Sequence, residues 1–132
     1  MTSILIEDQK KYHVKCTQIL KDEPTVRFAG LIDEAGNVIA GGYKKKVKVY
    51  LNEEQRKEIF SEVAIRVNKR KKYNSELGHV RYSASRRENV VIMSFPVYDA
   101  AVLLITDPGI NIDKMAYKIM RIMDRQYSEF FE

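Results

Sequence analysis

The chain has 132 residues, 45% of them hydrophobic and 31% charged, and a formal net charge of +5, which is the composition of a globular rather than a disordered protein. Its longest apolar stretch, Ala100–Ile105, is far short of the ~20 residues that span a bilayer, which excludes a transmembrane helix. Met1–Ile6 lacks the basic flank of a secretory signal and Cys16 is alone, so neither a leader nor a disulfide framework is expected, and the cytoplasm is the expected location.

A first helix is expected after Ser3, a suitable N-cap, with Leu5, Tyr12, Cys16, Ile19 and Leu20 on one side. It runs to about Asp22 and is closed by Pro24, which cannot donate the next helical hydrogen bond. Val26–Asp33 and Val38–Tyr43 read as strands joined by Glu34-Ala35-Gly36-Asn37, whose Gly and Asn tolerate the positive φ of a hairpin turn. The Lys46-Val47-Lys48-Val49 alternation is expected to extend the second strand. Asn52 caps a second helix with Ile59, Phe60, Val63, Ala64 and Val67 as its core stripe. Glutamates stand early and lysines late, as the helix dipole prefers, and Gly78 follows as a stop. Three strands follow, His79–Ser85, Val90–Pro96 and Ala100–Thr106, the last apolar on both faces and therefore central. Asp107-Pro108-Gly109 turns the chain into a final helix capped by Asn111, with Ile112, Ala116, Ile119, Met123, Tyr127 and Phe130 on one side. The expected fold class is α+β, in the order α-β-β-α-β-β-β-α, with a five-stranded, mainly antiparallel sheet covered by helices in one domain over residues 1–132.

Charge is unevenly placed. Residues 1–43 hold five Lys/Arg against six Asp/Glu, residues 44–87 fourteen against five, and residues 88–132 four against seven. Two runs make the basic middle: Lys44, Lys45, Lys46 and Lys48, then Arg66, Lys69, Arg70, Lys71 and Lys72. Such a segment suits nucleic acid, an anionic membrane surface or an acidic protein, although a solvated face or a lysine-protected sheet margin is the plainer reading. Tyr73, Arg81, Tyr82, Arg86 and Arg87 add the aromatic interleaving that stacked bases and phosphates favour, although no named nucleic-acid motif is present.

No catalytic signature emerges. Gly41-Gly42 beside Lys44 lacks the spacing of a phosphate loop and reads as a strand bulge or turn. His13, His79 and Cys16 do not repeat a metal-ligand spacing, no nucleophile elbow is present, and no cofactor is implied. Met93, Met115, Met120 and Met123 are expected in the core. A small-ligand sensor would need a pocket between sheet and helices, where the large apolar residues suggest a filled interior instead.

The element order, the Val26–Ala40 segment with its Asp33-Glu34-Ala35-Gly36 turn between strands, and Val97–Asp107 followed by Asn111 and a helix resemble the roadblock (dynein light chain) family and its longin and profilin-like relatives over nearly the whole chain. The short, basic, methionine-containing form is similar to archaeal members of that superfamily. The resemblance implies a protein without an active site. Such proteins form homodimers or heterodimers and act as scaffolds or regulators for small GTPases, motors or polarity complexes. It further implies a dimer face on the second helix and the following strand, here Ile65, Lys69, His79, Arg81 and Tyr82. At about 100° per residue from Ile59, the core stripe of the second helix centres at about 70° and Ile65 falls at about 240°, on the outward side. The expectation is a homodimerising protein-interaction module, with nucleic-acid binding and ligand sensing as the alternatives.

Overall fold

The structure, a computed structural model, describes residues 6–123. Helix α1 (Ile6–Asp22) leads into β1 (Val26–Ile32) and β2 (Val38–Tyr43); α2 (Glu53–Arg70) continues through a 3-10 turn (Lys71–Tyr73) into the short helix α3 (Asn74–Leu77). Strands β3 (Ser83–Arg86), β4 (Val91–Val97) and β5 (Ala100–Thr106) precede α4 (Ile112–Ile122). The expected Ser3 cap and the positions Leu5, Tyr127 and Phe130 lie outside the described residues.

The five strands form one antiparallel sheet in the order β2-β1-β5-β4-β3, with β5 at its centre. Alternation along β5 divides the core. Ala100, Val102 and Leu104 join Tyr12, Cys16 and Ile19 of α1 and Met115, Ala116, Ile119 and Met120 of α4 on one face. Ala101, Leu103 and Ile105 join Phe60, Val63, Ala64 and Val67 of α2 on the other. The sheet is thus sandwiched, α1 and α4 below and α2 above. Met93, Met115, Met120 and Met123 are buried as expected.

Local chemistry sets the boundaries. Asn52 accepts from the Gln55 N–H while the Gln55 side chain accepts from the Asn52 N–H, a reciprocal box that fixes where α2 begins. Asn111 caps α4 through the Lys114 N–H. The Asp33 carboxylate accepts from the Ala35 and Asn37 N–H groups and from the Asn37 amide, which shapes the β1–β2 turn.

Two expectations fail here. Strand β2 ends at Tyr43, not beyond Lys46: Lys46 has φ 63, a left-handed conformation that a non-glycine residue rarely adopts within a strand. The Arg27 guanidinium then draws the connection across the sheet end by donating to the Lys48 carbonyl at 2.7 Å. Strand β3 begins at Ser83, not His79. Ser83 pairs with Ser94, so the next hydrogen-bonded pair would set Arg81 opposite Pro96, which has no N–H to give. Gly41 and Gly42 lie within β2, where the Gly41 N–H donates to His13 Nδ1 at 3.0 Å; they form strand, not a phosphate loop.

Candidate interaction site

The two sheet edges differ. At β2, α1 reaches over the strand and His13 takes the Gly41 N–H. Among the described residues no further strand pairs with β3, and Ala84, Ser85 and Arg86 are exposed. The Arg87 N–H donates to the Val90 carbonyl at 2.9 Å, which makes residues 87 and 90 a hydrogen-bonded pair. By the alternation of antiparallel ladders, Ala84 and Arg86 then turn their backbone N–H and C=O groups outward. Small side chains at 83–85 leave that backbone approachable.

Beside this edge a shallow cleft of about 120 Å³ separates α2 from β3 and β4. Glu62, Arg66 and Arg70 line it from the helix and Ser83 and Ser85 from the strand. Arg70 donates to the Ser83 hydroxyl, and Arg66 pairs with Glu62 at 3.2 Å along the helix. Edge and cleft together offer a polar surface with an outward-turned strand backbone, of the kind another chain can pair with.

The residues expected at the dimer face are not brought together. Ile65 is 48% exposed and Lys69 is exposed beside it on α2, one turn apart and away from the cleft. His79 is exposed in the connection before β3, near the Asn74 amide at 3.3 Å. Arg81 is half-buried in the same connection. Tyr82 sits on the opposite face of the sheet, its ring 6.1 Å from Phe95 and its hydroxyl donating to Asp113. That hydrogen bond, with burial added, raises the Tyr82 pKa. Glu62 and the edge residues 83–85 had no sequence signal beyond small, polar residues in a strand, while Arg70 and Arg86 were legible only as basic residues.

The basic residues also separate. Lys44 donates to the Glu23 carbonyl at 2.9 Å and closes the end of α1; Lys45, Lys46 and Lys48 lie at the same end of the sheet as Arg27 and Asp107. Lys71 donates to the Tyr98 carbonyl at the other end, where burial lowers its pKa against the pull of Asp99 and Glu34. Lys72 lies over the Tyr73 ring at 5.6 Å. Residues 53–65 of α2, about 20 Å at about 1.5 Å per residue, stand between the two runs. They do not form one patch.

The Roadblock/LC7 domain from Streptomyces avermitilis superposes with a TM-score of 0.63 at 9% identity, covering 85% of this chain and 91% of that domain. MglB from Myxococcus xanthus gives 0.60 at 14% identity, covering 93% and 95%. A structure of MglB in a tetrameric arrangement gives 0.59 at 17% identity, covering 85% and 90%. The chain therefore has the roadblock/LC7 fold. By sequence it belongs to the family of unknown function DUF6659, which matches residues 2–132. No curated protein matches the sequence. Among the described residues no helix is long and apolar enough to cross a membrane.

Proposed function

We propose that this chain is a cytoplasmic, non-catalytic interaction module of one domain over residues 1–132, which self-associates through α2 and the β3 edge and serves as a platform or regulator for a protein partner of the small-GTPase class. The observation that carries the reading is the outward-turned backbone of Ala84 and Arg86 beside α2, on the one sheet edge that α1 leaves open. A second copy can add its own β3 there, joining two sheets by main-chain hydrogen bonds. The partner class rests on the resemblance to the roadblock family, and the tetrameric MglB arrangement is in keeping with assembly of this fold. Nucleic acid is the less favoured partner, because the two basic runs face different ends of the molecule.

Sedimentation equilibrium tests the self-association. The wild type is expected to dimerise at tens of micromolar. Ala84→Pro removes an outward N–H that serves no bond among the described residues, so it should weaken the dimer by about tenfold or more while thermal stability stays within about 1 kcal/mol. Burying Ile65 would contribute about 1.5–3 kcal/mol per protomer, so Ile65→Glu should also weaken the dimer if the outer face of α2 takes part. A wild-type monomer, or an Ala84→Pro protein that stays dimeric, overturns the edge assignment. Affinity capture with the wild type and the monomeric variant then tests the partner: retention of a small GTPase supports the reading, and retention of nucleic acid in place of protein defeats it.

A further inference from the structure

The α2 side of the sheet is not filled to its end. In register across the strands, Tyr43, Phe28, Ile105 and Ile92 form one row, Tyr43 opposite Phe28, Phe28 opposite Ile105, and Ile105 opposite Ile92. Phe60 of α2 lies over Phe28, with ring centroids 5.1 Å apart, but the helix leaves Tyr43, Ile105 and Ile92 as the floor of an open pocket of about 590 Å³. Leu51 and Ile59 close one side and the β3–β4 turn, with Val90, the other. The volume falls within the ~300–1,000 Å³ typical of small-molecule sites, and the floor and inner walls are apolar, as in those sites. The sequence alone pointed to a filled interior, because nothing in it shows that the 44–52 connection folds down as a wall.

The rim has the opposite character. Arg27, Lys48, Arg86 and Arg87 all line the pocket, against the single carboxylate of Glu88. Arg27 is committed: it pairs with Asp107 at 2.9 Å and donates to the Lys48 carbonyl, which holds the wall in place. Its guanidinium and the Lys48 ammonium sit 5.1 and 5.2 Å from the Tyr50 ring centroid, fixing that ring at the mouth. Arg86 donates to the Pro108 and Ile110 carbonyls, which bind its side chain without neutralising its charge. Among the described residues, Lys48, Arg86 and Arg87 have no carboxylate within ion-pair distance. A basic rim around an apolar floor suits an anion with an apolar body, the Lys48 and Arg87 charges facing its acidic group.

We propose that this pocket binds a small amphipathic anion, a molecule with an apolar ring or chain seated on Tyr43, Ile92 and Ile105 and a carboxylate, sulfonate or phosphate held by Lys48 and Arg87 with the field of Arg86. The assignment does not depend on self-association, although Ile59, Arg87 and Ile92 also border the α2–β3 cleft.

Two dyes with the same ring body test it, the anionic 8-anilinonaphthalene-1-sulfonate and the neutral N-phenyl-1-naphthylamine. The anionic dye is expected to saturate at one per chain with micromolar affinity, shifting the methyl resonances of Ile59, Ile92 and Ile105 and leaving Ile65 unmoved. Lys48→Gln with Arg87→Gln removes the two rim charges that make no side-chain hydrogen bond within the fold. It should weaken the anionic dye by about fivefold or more, the loss of a charge-assisted contact, and leave the neutral dye unchanged. Val90→Trp fills the pocket and should abolish both. The proposal is overturned if neither dye saturates below millimolar concentration, if the double variant weakens both dyes equally, or if the methyl shifts centre elsewhere. Should Val90→Trp fail to fold, the double variant and the methyl map decide the matter by themselves.

Discussion

Two glycines show how differently one residue type can be constrained. Gly36 has φ +87 and is pressed against α2, where an added Cβ would lie 2.4 Å from the Ser61 nitrogen and 2.6 Å from the Phe60 carbonyl carbon. Gly78 has a similar φ of +82 but nothing within 4 Å. Gly78 has ψ 166, a region essentially reserved for glycine, so Gly78→Ala should cost about 2 kcal/mol of conformational strain, whereas Gly36→Ala adds a backbone clash and should cost about 4 kcal/mol or more. Urea denaturation of the two variants checks the difference; equal losses would mean that the turn does not rest on α2. Cys16 is constrained by burial instead, its thiol pushed up to about 12 from 9.0. The folded state thus holds its proton where the unfolded state releases it, so the Cys16 contribution is intact below pH 9.0 and is lost as pH climbs toward about 12. Cys16→Ala should flatten the alkaline fall in stability, as read by urea midpoints. In the native wild type, Ellman's reagent should react only as fast as the protein opens.

At the scale of elements, much was legible because local signals agreed with tertiary needs. The Asn52 and Asn111 caps, the uniformly apolar β5 and the Asp33–Asn37 turn follow from residue type and periodicity alone. What was not legible depended on partners distant in sequence. The ladder stops before Arg81 because of Pro96, fifteen residues on, and the Lys46–Val49 alternation is overridden by an arginine on β1. The same reason hides the pocket, whose floor comes from three strands. Arg27 is the test of that tertiary control. Arg27→Ala removes the tie to the Lys48 carbonyl and the pair with Asp107, and should speed amide exchange across residues 44–51 by about tenfold or more while the α2 amides keep their protection. Unchanged exchange there would show that the connection is held by Leu51 and Tyr50 packing alone.

For the whole molecule, the placement of charge decides how it meets a polyanion. Were the nine basic residues of the two runs one patch, a duplex could engage most of them, and the log–log salt slope would approach about −7 or −8 at about −0.9 per phosphate contact. The fold forbids this, since the runs lie at opposite ends of α2 and of the sheet. Within the second run Arg66 is paired with Glu62, Arg70 with Ser83 and Lys71 with the Tyr98 carbonyl, so few side chains are free to turn to a phosphate. A duplex touching either end alone should give a slope no steeper than about −4 and binding that fades near physiological salt. Fluorescence anisotropy with a short labelled duplex between low and physiological salt measures this directly. Replacing Lys44, Lys45, Lys46 and Lys48 with glutamine should remove only the contacts at one end and leave the slope of the other. A wild-type slope steeper than about −6 would require both ends to act at once and would restore nucleic acid as the principal partner.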